Sequence, residues 1–470
     1  MKTDDYIFSK ESIREWIVDK IAATFTPVDH RSGQLLSFSC MFNSLCVTDW
    51  LTAQENPVKM YWSSRDAHLE IAAIGFADTV DLKRVPCLDE ALAGIEKNLA
   101  NGSVDIRYYG GICFDMTDSE AAAWEGLGHY YFFVPKFELR QKKNQSVFLF
   151  NVLATPQDDV TSITNQFLES LDKLSFDIDA PTATLTDKSR LPSVLRRSDR
   201  PNQDRWQKQT REMIDLIEAG RVKKIVQTRI TTLELSKRPD PFRLLNCVKS
   251  RSINTYDFCF QIDTEHSFIG CSPECLYKKE GSSICSEALA GTNVRAADHE
   301  LNRQLQKELL ESQKEIEEHE YVFENIKSEL EKICSKVVVV DKREVLPLKQ
   351  IQHLRSRFAG TLKKGVDNRD ILCALHPTAA VNGYPKKAAL ALIHQHETFS
   401  RGWYAGPVGW IGRGQSEFAV AIRSAHIAGQ RVQLFAGAGI VGASDPGREW
   451  EETEMKMAPF LGLFEPSLKS

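Results

Sequence analysis

The chain has 470 residues, of which 42% are hydrophobic and 26% are charged, and its formal net charge is −5 at pH 7. This is the composition of a folded globular protein with room for two or three domains or for one large domain. A mild negative charge gives no indication of a nucleic-acid partner, so any anionic ligand must be held by local cations. The first residues lack the apolar segment of a secretory signal, and no apolar run approaches about 18 residues, so we expect a cytoplasmic protein without a membrane partner.

Residues 1–180 are predicted to form a portion with mixed strands and helices, in which no residues with obvious chemistry cluster. The clearest helical spacing lies at residues 158–174. Strands are expected at partly alternating runs, three of them rich in aromatic residues. These runs are residues 34–40, 104–114, 130–139 and 147–153. A polar, basic and proline-containing stretch at 181–202 then predicts a solvated linker.

Residues 203–465 contain more predicted elements per length. A helix at 204–219 is expected to end at Gly220, because glycine commonly closes helices. A long charged helix is expected at 298–334, and a hairpin of 417–428 with 432–436 near the end. Further strands are expected at 225–235, 258–262, 267–271, 275–279, 283–287 and 337–340. The irregular alternation of strands and helices predicts an α+β fold with large antiparallel sheets.

The segment 437–442 reads Gly-Ala-Gly-Ile-Val-Gly, which matches the glycine pattern of dinucleotide-binding folds. That fold also requires a further strand and an acidic residue about 20 positions on, where this chain has Gly462. A nucleotide-binding module for NAD(P) is therefore a poorly supported alternative. The missing side chain at Gly437 instead predicts a place where the backbone approaches a ligand closely.

Acidic residues recur at helical spacing on two predicted helices, so they share a face of each helix. These residues are Glu311, Glu315 and Glu318 on the long helix, and Glu449 and Glu452, followed by Lys456, on the last one. Carboxylates on two helices could hold a hard divalent cation such as Mg²⁺. An exposed charged face is the commoner meaning of such a pattern.

Three further residues have positions that suit a site. The predicted strand 417–425 has a face of small residues that ends in Arg423, which leaves room for a ligand and offers a clamp for a carboxylate. Lys224 begins another predicted strand, and Glu274 lies in a tight link between two strands. Loop residues at sheet ends are common catalytic positions, although pattern alone favours surface roles for Lys224 and Glu274.

A series of short motifs, taken together and in order, resembles the chorismate-utilising enzymes, and most closely the isochorismate synthases. The motifs cover roughly residues 201–464 and are KIVQTR (224–229), GCSPE (270–274), EALAGT (287–292), EH (318–319), QHL (352–354), LHPT (375–378), GWYAG (402–406), AIR (421–423), FAGAGIV (435–441) and EWEET (449–453). The resemblance implies antiparallel sheets packed as a sandwich with helices outside, completed by the N-terminal portion.

The resemblance also implies a substrate, a reaction and a metal. The substrate would be chorismate, a small dianion, isomerised to isochorismate as water adds at ring C2 and the C4 hydroxyl departs. Lys224 resembles the general base that activates the water, and Glu274 the general acid that protonates the leaving hydroxyl. Glu318 and Glu452 resemble Mg²⁺ ligands, supported by Glu315 and Glu449.

The other residues that match the family resemble its substrate pocket. They are Arg423, Tyr404, Gly437 and Lys456 for the substrate carboxylates, and His353, Ala290, Gly291 and Thr292 for the rest of the wall. The anion approached by the glycine segment would then be a carboxylate of the substrate rather than a pyrophosphate. No obligate partner is expected, and the protein is predicted to be a monomer.

Two positions separate members of the family. The base position carries lysine here, where anthranilate synthases carry glutamine, and Ala290 stands where aminodeoxychorismate synthases have a nucleophilic lysine. Both residues favour water as the nucleophile. The sequence departs from the family at Ala379, where the family has proline, and we expect this change to loosen a loop beside the substrate.

Two alternatives within the family remain open. A salicylate synthase resembles the chain at the same residues but also eliminates pyruvate, and a member without activity could serve as an interaction partner. The intact base, acid and acidic residues disfavour the second alternative. The pathway that would use isochorismate, either menaquinone or siderophore synthesis, is not fixed by these motifs.

Overall fold

Antiparallel strands dominate the computed structural model, which describes residues 9–28, 33–42, 45–66, 68–118, 124, 126–142, 145–176 and 191–468. The strands are β1 (Gln34–Phe42), β2 (Lys59–Ser63), β3 (Glu70–Ile74), β4 (Asp78–Asp81), β5 (Arg107–Ile112), β6 (Tyr130–Val134), β7 (Phe137–Lys142), β8 (Gln145–Ala154), β9 (Val194–Arg200), β10 (Lys224–Leu235), β11 (Tyr256–Gln261), β12 (His266–Ser272), β13 (Cys275–Glu280), β14 (Ser283–Val294), β15 (Cys334–Pro347), β16 (Ile351–Leu362), β17 (Gly383–Tyr384), β18 (Pro407–Gly412), β19 (Gln415–Val420), β20 (Ser424–Ala428) and β21 (Arg431–Ile440).

The helices lie between these strands in the chain. They are α1 (Lys10–Thr24), α2 (Val47–Thr52), α3 (Leu88–Asn101), α4 (Val160–Leu171), α5 (Gln203–Glu218), α6 (Pro241–Lys249), α7 (His299–Glu311), α8 (Gln313–Ile333), α9 (Asn368–Leu375), α10 (Lys386–His396) and α11 (Pro446–Leu468). Asp445 caps the last of them, because its Oδ1 accepts hydrogen bonds from the backbone N–H of Gly447 and Arg448.

Within the described residues, the strands form two sheets. The larger sheet has twelve strands in the order β1-β8-β7-β3-β2-β11-β12-β20-β21-β10-β17, with β9 also paired to β10. The smaller has nine strands in the order β15-β16-β14-β13-β19-β18-β5-β6-β4. Strands from the first 180 residues pair directly with later ones in both sheets, through β2 with β11 and β5 with β18. Neither sheet therefore belongs to one portion of the chain alone.

Successive side chains of a strand point to opposite faces of its sheet, and this alternation divides the hydrophobic core into two layers. Met60 and Trp62 of β2 join a cluster that also contains Tyr109 and Phe132 of the smaller sheet, so this cluster lies between the sheets. Tyr61, between them in sequence, joins the other cluster, in which the outer face of the larger sheet packs against α1, α2, α4, α6 and α11. The predicted sandwich of antiparallel sheets with helices outside is confirmed.

Three predicted elements are each divided in the structure, and the first is the expected strand 130–139, which consists of β6 in the smaller sheet and β7 in the larger one. The expected helix 298–334 breaks at Ser312, whose Oγ accepts from the backbone N–H of Glu315 and so begins α8. Glu311 therefore ends α7 with an exposed side chain and does not share a face with Glu315 and Glu318.

The expected strand 417–428 is also two strands, and they lie in different sheets. Strand β19 belongs to the smaller sheet and β20 to the larger one, so the chain crosses between the sheets at residues 421–423. The prediction that Arg423 lies at the end of a strand face of small residues is therefore wrong. The predicted linker 181–202 is only partly described, since residues 181–190 lie outside the described ranges. Its last part forms strand β9, which pairs with β10 and whose residues are exposed or half-exposed.

The described helices and cysteines show two further features. None of the described helices combines the length and the apolar character needed to cross a membrane. All eleven cysteines lie in the described ranges, none of them forms a disulfide, and most of them are buried.

Candidate active site

Two neighbouring crossovers between the sheets bring Glu274 and Arg423 together. The first joins β12 to β13 and carries Glu274, and the second joins β19 to β20 and carries Arg423. The backbone N–H of Val420 donates to the Glu274 carbonyl at 3.1 Å, and that of Cys271 donates to the Arg423 carbonyl at 3.1 Å. Arg423 has a left-handed backbone with φ of 52°. The bend of the crossover, rather than strand alternation, therefore positions its side chain.

A bulge in β14 forms the opposite wall. The register between β14 and β16 shifts between Ala290 and Thr292, and Gly291 occupies the bulge with φ of 79°. His353 of β16 lies 3.2 Å through Nδ1 from the Gly291 carbonyl and 3.0 Å through Nε2 from Nη2 of Arg423. Because Arg423 can only donate, Nε2 of His353 accepts and Nδ1 carries the proton. Burial and Arg423 lower the pKa of His353 to about 3, so the ring is neutral.

Helix α8 docks onto this bulge through two side chains. Glu315 accepts a hydrogen bond of 2.7 Å from the backbone N–H of Thr292. His319 lies 3.3 Å through Nδ1 from the Ala290 carbonyl and 2.8 Å through Nε2 from the Ser356 hydroxyl. These contacts fix the helix turn that presents Glu318, one residue before His319.

Lys224 and Glu318 meet at the glycine segment. The Lys224 side chain is fully buried, and its Nζ lies 3.0 Å from Oε1 of Glu318. A Cβ at Gly439 would lie 2.8 Å from Cε of Lys224 and would also overlap the Glu318 carboxylate. Gly439 therefore leaves the space that this ion pair occupies, and the close approach seen at this glycine is made by protein side chains.

These elements surround a cavity whose empty space, with the open solvent at its mouth included, is about 610 Å³. The predicted residues that line it are Glu274, Ala290, Gly291, Thr292, Glu318, His353, Tyr404, Arg423, Gly437 and Lys456. Lys224 is not part of this lining, but it contacts Glu318, which is. Three predicted metal ligands, Glu315, Glu449 and Glu452, lie behind the cavity wall rather than in its lining.

Glu274 has the electrostatic environment of a proton donor. Its side chain is buried, and the Thr378 hydroxyl lies 3.5 Å from Oε1. Burial raises the pKa of Glu274 to about 8, the positive charge of Lys224 opposes that rise, and the negative charge of Glu287 adds to it. The carboxyl group is therefore largely protonated at neutral pH, as the sequence-based role of this residue requires.

The cationic side of the cavity is formed by Arg423 and Lys456. Burial lowers the pKa of Arg423 to about 10, which still leaves its guanidinium charged at neutral pH. Lys456 donates to the Gly437 carbonyl at 2.8 Å and lies 2.7 Å from Oε1 of Glu452. Burial also raises the pKa of Tyr404 to about 12, so its hydroxyl stays neutral and can donate a hydrogen bond.

The four predicted metal ligands form a buried acidic group on α8 and α11, interleaved with lysines. Lys314 lies 2.7 Å from Oε1 of Glu449 and 3.3 Å from Oε1 of Glu315. Burial and repulsion from neighbouring carboxylates raise the pKa of Glu315 and of Glu449. Burial acts in the same direction on Glu452, but Lys456 and Lys314 outweigh it and lower its pKa.

These residues suit a hard divalent cation in their chemistry. Apart from Lys314, which forms an ion pair with it, no residue in the described part of the chain donates to the Glu449 carboxylate. Carboxylate oxygens are the ligands that Mg²⁺ prefers in proteins. No group of three or more acidic, histidine or cysteine side chains among the described residues is already arranged as a metal centre. The structure therefore provides the ligand type, but ammonium groups lie between the carboxylates.

Sequence analysis missed the apolar wall of the cavity and one buried arginine. Val226, Leu289, Ala380, Val381, Ile422, Phe435, Ala436 and Gly439 complete the lining. Phe435 stacks on Tyr404 with ring centroids 5.2 Å apart, and its spacing of two from Gly437 could have indicated it. Arg401 donates to the carbonyls of Val226 at 2.8 Å and Val381 at 2.7 Å, so it joins two parts of the wall.

The expectation that Ala379 loosens its loop stays a prediction, and one contact of the loop argues against it. Ala379 is buried, and its backbone N–H donates a hydrogen bond of 3.1 Å to Oδ1 of Asn325 on α8. Proline has no N–H and could not make this bond. The replacement therefore ties the loop to the helix through a contact that the family residue cannot form.

Comparisons with known proteins agree with this geometry. The sequence model of the family described as chorismate binding enzyme matches residues 21–465. The isochorismate synthase MenF of Escherichia coli is 30% identical over 425 residues, which cover 88% of this chain and 90% of that protein. The chloroplastic isochorismate synthase 2 of Arabidopsis thaliana is 33% identical over 402 residues, which cover 85% and 71%.

Solved structures give the same result. The menaquinone-specific isochorismate synthase MenF from Escherichia coli superposes with a TM-score of 0.81 at 26% identity, covering 97% of this chain and 100% of that one. Anthranilate synthase component I from Streptococcus pneumoniae, at 21% identity and a TM-score of 0.64, shares the fold. The chain belongs to the family of chorismate-binding enzymes, as its motifs predicted. It is an enzyme of the branch whose relatives are isochorismate synthases.

The contact between Asn325 and Ala379 predicts a coupled loss of stability. Asn325→Ala should lower the free energy of unfolding by about 1–2 kcal/mol, because it leaves the buried N–H of Ala379 without an acceptor. The same substitution in an Ala379→Pro background should cost less, since that N–H is already gone. Denaturant unfolding of the four proteins, followed by tryptophan fluorescence, measures this coupling. Additive effects would show that the hydrogen bond does not hold the loop.

Proposed function

We propose that this protein is an isochorismate synthase that converts chorismate to isochorismate with the help of Mg²⁺. The observation that carries the proposal is that a buried lysine and a buried, protonated glutamate both lie beside the same cavity. Lys224 contacts Glu318 of the lining, and Glu274 belongs to the lining itself. The similarity to isochorismate synthases over most of the chain supports the same substrate.

The proposed reaction needs one proton acceptor and one proton donor. A water oxygen bonds to ring C2 while its proton passes to Lys224, which must be neutral at that moment. The ring double bond shifts, the C4–O bond breaks, and the departing hydroxyl takes the proton of Glu274 to leave as water. Water is thus consumed and released, so the net change is an isomerisation. The opposite protonation states required of Lys224 and Glu274 are typical of acid–base pairs.

The cavity offers separate partners for the two substrate carboxylates. Arg423 is a charged donor whose orientation is fixed by His353, and the neutral hydroxyl of Tyr404 lies in the same lining. Gly437 and Lys456 form another part of that lining. Burial of these groups strengthens each interaction, because water competes poorly there. We assign Arg423 and Tyr404 to one carboxylate and the region of Gly437 and Lys456 to the other.

Mg²⁺ would be held by Glu318 and Glu452, with Glu315 and Glu449 in support. When bound, the ion would neutralise a substrate carboxylate and draw electron density from the ring. The buried acidic group that favours such an ion lies beside the lining through Glu318 and Lys456. We assign water rather than ammonia as the nucleophile because the base position is Lys224 and residue 290 is alanine.

Product analysis tests the function directly. The purified protein with chorismate and Mg²⁺ should form isochorismate without stoichiometric pyruvate, as measured by chromatography and a coupled pyruvate assay. Pyruvate in equal amount would instead establish a salicylate synthase, and no turnover would overturn the proposal.

The Lys224→Met variant provides the matched control for the product analysis. It should lose turnover, because it has no proton acceptor, while chorismate binding remains measurable by calorimetry. Retained turnover would remove Lys224 as the base.

The pKa of Glu274 predicts the pH dependence of the reaction. Glu274 donates a proton only in its protonated form, which predominates below its pKa of about 8 and is lost as the pH rises through that value. The kcat/KM should therefore decline above about pH 8. Glu274→Gln should lower kcat by about 10²- to 10⁴-fold at pH 7, since the amide cannot protonate the leaving hydroxyl. A steady-state pH profile that stays flat to pH 10 would contradict this role.

Metal dependence provides a further test. A chelator should abolish turnover and added Mg²⁺ should restore it. Glu452→Gln should raise the half-saturating Mg²⁺ concentration by about 10-fold or more, because a carboxylate ligand is lost. Glu311→Gln is the matched control, since its exposed carboxylate on α7 lies outside the acidic group and should leave the titration unchanged. An unchanged titration for Glu452→Gln would remove it as a ligand.

A further inference from the structure

Arg65 reaches from the N-terminal portion into the loop that carries Glu274. It lies between β2 and β3, and its Nη1 donates to the Pro273 carbonyl at 3.0 Å, 208 residues away in the sequence. The same guanidinium holds Glu287 in a bidentate pair, with Nη1 2.6 Å from Oε2 and Nη2 donating to Oε1. One side chain thus contacts both the backbone directly before Glu274 and an acidic neighbour of Glu274.

The charges around Glu274 come from three elements. Lys224 of β10 and Lys456 of α11 favour its ionised form, and Glu287 of β14 disfavours it. Glu287 is itself buried, with 7% of its side chain exposed, so its charge is poorly screened by water. Arg65 is its close counter-charge, whereas Nη1 of Arg355 lies 3.9 Å from it. The electrostatic effect of Glu287 on Glu274 therefore depends on Arg65.

We propose that Arg65 is a positioning residue for the acid Glu274. It fixes the crossover loop through the Pro273 carbonyl and offsets the charge of Glu287 beside the acid. The inference rests on the proposed function, because it takes Glu274 as the proton donor. It gives the N-terminal portion a part in the chemistry as well as in the sheets.

A purely structural role and the proposed role predict different results. If Arg65 only stabilised the fold, Arg65→Met would lower stability without moving the pH profile of the remaining activity. If Arg65 instead positions Glu274, kcat of Arg65→Met should fall by about 10- to 100-fold with a small change in KM, because the acid is misplaced. The alkaline limb of kcat/KM should also move up by about half a pH unit to one unit, since Glu287 is then uncompensated.

Glu287→Gln should move the same limb in the opposite direction. It removes the negative charge and leaves Arg65 uncompensated, which favours the ionised form of Glu274. Arg65→Lys keeps a positive charge but cannot donate in the same bidentate geometry, so the limb should stay near that of the unmodified protein while kcat is intermediate. If Arg65→Met does not fold, Arg65→Lys and Glu287→Gln still test the proposal.

Arg355→Met is the matched control. Arg355 is about as exposed as Arg65 and faces the Glu287 carboxylate from farther away, but it forms no bond to the Pro273 carbonyl. It should shift the limb less than Arg65→Met and leave kcat nearly unchanged. Limbs that do not move, or that move in the same direction, in Arg65→Met and Glu287→Gln would overturn the inference. Failure of the proposed function would look different, with no turnover in the unmodified protein or with full activity in Glu274→Gln.

Discussion

The structure depends on keeping charged side chains buried at the place where the chain crosses between the two sheets. Lys224 and Glu274 are removed from water there, Arg423 is half-buried, and an isolated buried charge is costly. The cost is met in three ways. Lys224 pairs with Glu318, Arg423 donates to a neutral histidine, and Glu274 takes up a proton. The third solution leaves a protonated, desolvated carboxyl group in the cavity, which is also what the proposed reaction needs.

This requirement explains why the glycines of β21 matter. A strand with ordinary side chains at positions 437 and 439 would fill the space beside β10, because a Cβ at Gly439 overlaps the Glu318 carboxylate. The glycine pattern therefore has the cause that such patterns often have, a close approach to the backbone. It differs from the dinucleotide fingerprint in what approaches, since here the neighbours are a buried ion pair and the lysine Lys456.

Much of the fold and site could be predicted from the sequence, for identifiable reasons. The motifs that carry Lys224, Glu274 and Arg423 are local, so their order in the chain was sufficient to recognise the family. The break at Ser312 has a local signal too, since a serine followed three residues later by Glu315 is a typical helix start. Arg401 and Arg65 have no such signal. Their partners lie 175 and 222 residues away, and a surface role was equally consistent with the sequence around them.

The large separation in sequence between contacting residues also affects how the site can vary within the family. The residues proposed to contact the substrate lie in local motifs, whereas the contacts that orient them come from elements brought together only by folding. Asn325 of α8 and Ala379 show this, because the loss of a proline is accompanied by a hydrogen bond that only a residue with an N–H can donate. A change beside the cavity therefore has to be judged with its partner on another element. The cost of one substitution depends on whether the other residue can complete the contact.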